Sequence, residues 1–446
     1  MTADSSAGSQ ISRREAVQRT SSWLLAAAAL SGARAAETAA NDPKIVWGIA
    51  ELFEWIYRLQ KSTGHDTEDC LQAHLDHGIR HVIWAIGRST VDYHSKLPAS
   101  TLYVGDSRPE TKIIGEVLKQ RCTLRAAMAF ARERGMTIYA RLCMNRHYGS
   151  GYGGALRSRW AAEHPELWFV TKKGKPDPTR LSYFFPEYRR ERIAILAEVA
   201  AIGPHGLCLD FCRQVPHMDY QPKLIAAWQA KSGGDPHALK PGDPGFMEWC
   251  RFRAGYVTAF LRELRAALGD VEKRLGHRVP VMARITDCGL DVNLMEGMDV
   301  ETWLKEKLVD ELCTNPLWWL HYKYPDTLAP YAKLARAHGV KLWGGVGCLP
   351  AAKTRVNPVS FLRRVQRQYG EGANGMALYQ SDTGIRYPIL TPYLPQLGDA
   401  AAVARWLGDK ELLARWPQDD ASRCYGLDNH SKIEALGATA QPMENL

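Results

Sequence analysis

The residues able to do chemistry in this chain of 446 residues are carboxylates, arginines and tryptophans, and the first to stand out is Asp210. It lies in the apolar run Gly206-Leu-Cys-Leu-Asp-Phe-Cys-Arg213. An extended chain alternates its side chains, so Cys208, Asp210 and Cys212 share one face while Leu207, Leu209 and Phe211 take the other. A carboxylate in such a run is costly unless it is hydrogen-bonded or stands at an opening. Cleaving a glycosidic bond needs two carboxyls, one to donate a proton and one to act as nucleophile or base. Asp210 is the firmer candidate and Asp287 the first choice for its partner. An ion pair between Asp210 and Arg141 or Arg284, and a turn or capping role for Asp287, are the structural alternatives.

Elements that could position these groups follow from the alternation of strand-like and helix-like segments. Strands are predicted at Lys44 to Glu51, His81 to Gly87, Met136 to Asn145, around Asp210, Val279 to Thr286, Asp310 to Asn315, Val340 to Gly347 and Gly375 to Ser381. Helices follow them, among them Asp66 to Gly78, Thr123 to Gly135, Pro186 to Gly203, Phe246 to Leu275 and Pro358 to Gly370. Eight strand-helix units in strict order, many with glycine before the next strand, predict an α/β fold, a (β/α)8 TIM barrel. A doubly wound open sheet fits less well, because the first strand lacks a glycine-rich turn.

Residues 88 to 118, 146 to 185 and 214 to 245 follow the second, third and fourth strands, so they project from the C-terminal face, where barrel active sites lie. Lumen-facing polar residues near that face form a candidate binding set. The first strand offers Glu51, the third Arg141 and Asn145 with His147 just beyond. The fourth is followed by Arg213, the fifth carries Arg284 and the sixth Asn315. The eighth gives Tyr379, Gln380 and Asp382. Glu311 lies early in its strand, nearer the barrel floor. Trp318 and Trp319 follow the sixth strand and Trp47 and Trp84 lie on the first two. Aromatic planes beside acids and amides suit sugars.

The run Glu163-His-Pro-Glu-Leu-Trp168, then Leu181-Ser-Tyr-Phe-Phe-Pro-Glu187, then Leu209-Asp-Phe-Cys-Arg213 resembles the family-10-like glycosyl hydrolase group of bacterial barrel proteins. Gly297-Met-Asp-Val-Glu-Thr-Trp303 and Leu308-Val-Asp310 are similar to a later stretch of that group. The likeness covers about residues 120 to 320. It implies relationship to the α-galactosidase superfamily and, with it, Asp210 as nucleophile. No acid stands between Asn315 and Tyr324, which tilts the proton donor towards Asp287. By the same analogy Arg213, Asn145 and His147 contact substrate.

At the N-terminus, Ser12-Arg13-Arg14-Glu15-Ala16-Val17 precedes the apolar run Trp23 to Leu30 and the small-residue site Ala33-Arg34-Ala35. This resembles a twin-arginine export signal over 1–35, with Ala16 and Gln18 departing from the usual pattern. A barrel over 36–410 and a polar tail over 411–446 would follow, in a periplasmic or secreted protein. No stretch reaches the roughly 20 apolar residues of a membrane span. The formal charge of +9 is spread without a dense run, which argues against nucleic acid and for a solvated surface or anionic substrates. Ten cysteines include no CxxC pair, and no HxH or HExxH occurs, so no metal or cofactor is expected. They read as small core residues, with a disulfide or two allowed by export.

Together these features predict an exported retaining glycoside hydrolase acting on a polysaccharide or oligosaccharide, an acidic one suiting the arginine-lined lumen. A non-catalytic carbohydrate-binding barrel is the alternative, and a metal-dependent hydrolase a weaker one.

Overall fold

In the computed structural model, the described residues are 44–148, 154–212, 215–315, 327–347, 357–386 and 388–416. The expected export signal, the tail beyond 416, Arg213, Trp318 and Trp319 lie outside them. Ten strands occur among the described residues: β1 Ile45–Ala50, β2 His81–Gly87, β3 Thr137–Cys143, β4 Trp168–Val170, β5 Pro176–Leu181, β6 Gly206–Asp210, β7 Val281–Thr286, β8 Glu311–Asn315, β9 Lys341–Gly347 and β10 Gly375–Tyr379. Eight of them close into a parallel barrel in the order β1, β2, β3, β6, β7, β8, β9, β10, and β10 pairs back onto β1. The chain is therefore a (β/α)8 barrel. The fourth predicted strand is β6; within Gly206–Asp210 its side-chain parity is the expected one, whereas Cys212, beyond the strand's end, packs with Phe246, Cys250 and Ala254 rather than in the lumen layer.

Parity explains which residues fill which side. On β3, Ile138, Ala140 and Leu142 join the large cluster under the helices, while Tyr139 joins the lumen. The lumen layer holds Trp47, Ile49, Ile83, Tyr139, Cys208, Met282, Cys313, Trp343 and Ala377. Glu311 accepts hydrogen bonds there from the Tyr139 hydroxyl at 2.8 Å and Trp343 Nε1 at 2.5 Å. The expected place of Glu311 near the floor agrees with these bonds. Gly206 opens β6 without a Cβ because that atom would lie 2.6 Å from the Tyr139 ring.

The outer layer rests on amphipathic helices. Phe246–Leu275 is one of 30 residues, and it buries Phe246, Trp249, Ala254, Val257, Phe260, Leu261, Leu264, Leu268 and Val271 along one stripe. Gly276, at φ 75°, ends it in the left-handed conformation. Burying each large apolar side chain contributes about 1.5–3 kcal/mol, so Leu261→Ala in this stripe would cost about 2–5 kcal/mol.

The long connections carry structure of their own. Residues 146 to 185 contain the antiparallel β4–β5 hairpin, and 214 to 245 contain the helix Pro222–Ser232. A short helix, Leu52–Leu59, starts directly after β1, in a segment where the sequence predicts no element. The helix Lys410–Arg415, with Leu412 buried, continues the ordered structure past the expected domain boundary at 410. The eight described cysteines are thiols and form no disulfide among themselves. No helix among the described residues is long and apolar enough to cross a membrane.

Candidate functional site

Register between neighbouring strands builds a chain of charges at the C-terminal end of the barrel. Asp210 on β6 is level with Arg284 on β7 and with Cys143 on β3. Its Oδ2 accepts from Arg141 Nη1 and from Arg284 Nη1, each at 2.7 Å. Its Oδ1 accepts from the Cys212 backbone N–H at 3.1 Å. Arg141 then reaches with Nη2 to Glu51 Oε2 at 2.8 Å, and Arg88 Nη2 donates to Glu51 Oε1 at 2.6 Å. At the other end Arg284 donates to the Asn315 side-chain oxygen, and its guanidinium lies 4.5 Å from the centre of the Tyr379 ring. Two carboxylates thus share one guanidinium, and both keep their charge.

Burial alone would raise the Asp210 carboxyl, but Arg284 and Arg141 outweigh it and hold it below the usual carboxylate range. Glu51 is likewise pushed up by burial and brought below its ordinary value by Arg88, Arg141 and Arg146. Glu54, on the helix after β1, goes the opposite way. Burial and the Glu51 charge raise it, and the opposing pull of Arg58 and Arg88 is too small to cancel them.

Glu51 and Glu54 border a cleft of about 170 Å³. Glu51, Phe53 and Glu54 line it from the end of β1, Arg88 from β2, Arg141, Cys143, Arg146 and Tyr148 from β3, and Tyr379 and Gln380 from β10. The opening lies over the half of the barrel mouth from β10 through β1 and β2 to β3. Sequence reasoning placed it between the loops after the second, third and fourth strands. Among the described residues, the loop after β6 contributes nothing to this cleft.

The candidate residues divide accordingly. Glu51, Arg141, Tyr379 and Gln380 line the cleft, whereas Asp210 is sealed beneath it, fully buried with both oxygens engaged. Arg284 and Asn315 extend the ion-pair chain below the opening. Asp287 is buried and paired with Arg364 on the helix Pro358–Glu371, away from the cleft lining. Asn145 exchanges hydrogen bonds with the backbone of Leu181, at 3.1 and 2.9 Å, and so pins β5 rather than facing the cleft. His147 is buried between the Ser89 hydroxyl at 2.7 Å and the Tyr188 hydroxyl at 3.1 Å. Asp382 accepts the Glu51 backbone N–H at 2.9 Å, and burial pushes it up to about 8; it holds the end of β1 in place. Trp47 lies in the lumen layer and Trp84 under the helices, so neither offers a plane to the cleft.

Glu54, Arg88 and Arg146 are the charged cleft residues that the sequence analysis does not single out. A signal existed for each. Glu54 is three residues beyond Glu51, a spacing that puts both on one side once a helix begins at Leu52. Arg88 is the first residue after β2, and Arg146 lies between the two β3-end residues already singled out.

No family model matches the sequence, and no curated protein matches it either. Solved structures do. The glycoside hydrolase domain of PgaB (BpsB) from Bordetella bronchiseptica superimposes with a TM-score of 0.52 at 15% identity, over 80% of this chain and 99% of that one. The catalytic domain of beta-amylase from Paenibacillus polymyxa gives 0.51 at 12% identity, over 78% of this chain and 98% of that one. The likeness is one of fold. It reaches nearly the whole length of both domains, so the (β/α)8 barrel is shared end to end.

Proposed function

We propose that this chain is a glycoside hydrolase whose reacting carboxyls are Glu51 and Glu54. One observation carries the reading: two carboxyls line the same barrel-mouth cleft, and their surroundings push them in opposite directions. A pair separated in this way supplies an ionised group and a proton-bearing one at a single pH. Glu51, held ionised by three arginines, attacks the anomeric carbon while Glu54 delivers its proton to the departing glycosidic oxygen. Glu54 then takes a proton from water, the water oxygen attacks the same carbon, and Glu51 is released. Asp210 orients Arg141, which in turn fixes Glu51. The motif likeness to family-10-like glycosyl hydrolases and the barrels of a glycoside hydrolase domain and a beta-amylase support the substrate class, a polysaccharide or oligosaccharide.

The second reading makes Asp210 itself the nucleophile, with Asp287 as proton donor. It is favoured by the ionised state of Asp210 and its place at the end of β6. The two readings separate in one experiment, a screen on a polysaccharide panel with wild type, Glu51→Gln, Glu54→Gln and Asp210→Asn. On the substrate found, the glutamine variants should lose about 10²–10⁴-fold in kcat, the scale of a positioned acid or base. Full activity in both would sink the Glu51 and Glu54 roles. Binding without hydrolysis by wild type on every substrate bound would leave a carbohydrate-binding barrel. Export by the twin-arginine route belongs to the same proposal, and periplasmic recovery that survives changing Arg13 and Arg14 to lysine would count against it.

A further inference from the structure

The arginines of the cleft are not all accounted for by its acids. Arg88 pairs with Glu51 at 2.6 Å and stands 3.9 Å from Asp92. Arg141 pairs with Glu51 and Asp210. Arg146 lines the same cleft and acts on Glu51 through its charge, yet among the described residues it makes no ion pair, and its guanidinium lies against the Tyr148 ring, 5.2 Å from the centre. It is half-buried. From the β10 side, the side-chain oxygen of Gln380 is buried without a hydrogen-bond partner among the described residues. The cleft therefore holds a surplus guanidinium and an unused acceptor.

Those two groups ask for a ligand with an anion and a hydroxyl. A half-buried guanidinium gains most from an oxyanion that accepts two of its parallel N–H groups, and a ring hydroxyl would meet the Gln380 oxygen. A neutral sugar would leave Arg146 facing hydroxyls, which return less than a charge-assisted bond. The net charge of +9 acts in the same direction by drawing polyanions towards the surface.

We infer that Arg146 is the receptor for an anionic substituent, a uronate carboxylate or a sulfate ester, on the sugar that the cleft takes. This rests on the glycosidase reading only for the sugar itself. The test is affinity electrophoresis of the full chain in gels containing polygalacturonate, carrageenan or neutral galactan, which read carboxylate, sulfate and uncharged sugar in turn. Wild type should be retarded by at least one anionic polymer and not by galactan. Arg146→Ala should weaken that retardation about tenfold or more, the scale of one charge-assisted contact. Lys273→Ala is the control for charge alone, since it removes the same charge from an exposed side chain on the outer helix and should change little. Arg146→Lys, which keeps the charge but not the fork, should fall between.

Equal retardation of Arg146→Ala and Lys273→Ala, equal retardation by galactan, or none by either anionic polymer overturns the inference. Hydrolysis of galactan by wild type and Arg146→Ala alike would do so while leaving the glycosidase reading intact. Conversely, Arg146-dependent retardation without hydrolysis of the retarding polymer supports the receptor and removes the glycosidase reading.

Discussion

Glu54 and Arg58 stand four residues apart on the helix after β1, with Arg58 Nε 3.2 Å from Glu54 Oε2. Burial and the neighbouring charge of Glu51 raise the Glu54 carboxyl, and Arg58 opposes them. If Glu54 is the proton donor, activity falls as pH rises through its raised value, because the donor is then empty. Removing the Arg58 charge takes away an influence that favours the ionised form, so the carboxyl keeps its proton to higher pH. Arg58→Gln should therefore move the alkaline limb of the kcat profile upward and leave the acidic limb, set by Glu51, in place. An unmoved alkaline limb would separate Glu54 from the titration that limits activity. Arg58 does not line the cleft, so the fully protonated rate should survive the change.

At the scale of elements, Gly115 reverses an ordinary expectation. It is buried within the helix Pro109–Gln120, where a Cβ would lie 2.0 Å from the backbone oxygen of Val104. Glycine to alanine inside a helix ordinarily gains about 1 kcal/mol. Here backbone must give way, and overpacking of that kind costs about 1–3 kcal/mol. Gly115→Ala should accordingly lower the urea midpoint; a raised midpoint would mean that the segment around Val104 yields freely. The sequence predicts only a long loop over 88–118, where most of that helix lies, and the reason is physical. Barrel strands and their helices announce themselves through short-range periodicity and terminal glycines, so the order of eight units and the lumen face of β3 and β6 were legible. Insertions such as β4–β5 depend on distant anchors, including Asn145 on Leu181 and Arg180 Nη1 donating to the Val215 backbone oxygen at 3.0 Å. The candidate site was legible only in part for the same reason. Residue type marked Glu51, Arg141 and Asp210, but which carboxylates stay open depends on cross-strand register and on pairs as remote as Asp287 with Arg364, 77 residues apart.

Across the whole molecule, buried groups that must not ionise set the response to pH. His74 and His217 are lowered to about 4 by burial, and His147 is held well below its ordinary value. They must charge when the chain unfolds below about pH 6.5, so they reduce stability as pH falls through that window. Four acids act in the other direction. Burial raises Asp92 to about 6, Asp219 to about 7 and Asp382 to about 8, and it raises Glu296 well above its usual range. Each keeps its proton in the folded chain and releases it on unfolding, so the unfolded state gains as pH rises through the interval between the two values. Above about pH 6.5 the histidines are neutral in both states and only the acids still act; stability should decline from there towards pH 8. Glu296 is the sharpest test, because it is fully buried and neither of its side-chain oxygens has a hydrogen-bond partner among the described residues. While its two states differ in protonation, each pH unit changes stability by about 1.4 kcal/mol. Glu296→Gln keeps the shape and removes the titration. The variant should match wild type near pH 4, where both carry an uncharged side chain, and exceed it at pH 8. Parallel urea midpoints for the two proteins from pH 4 to 8 would show that Glu296 ionises in the folded chain with water or a cation beside it, and would assign the alkaline decline to Asp219 and Asp382.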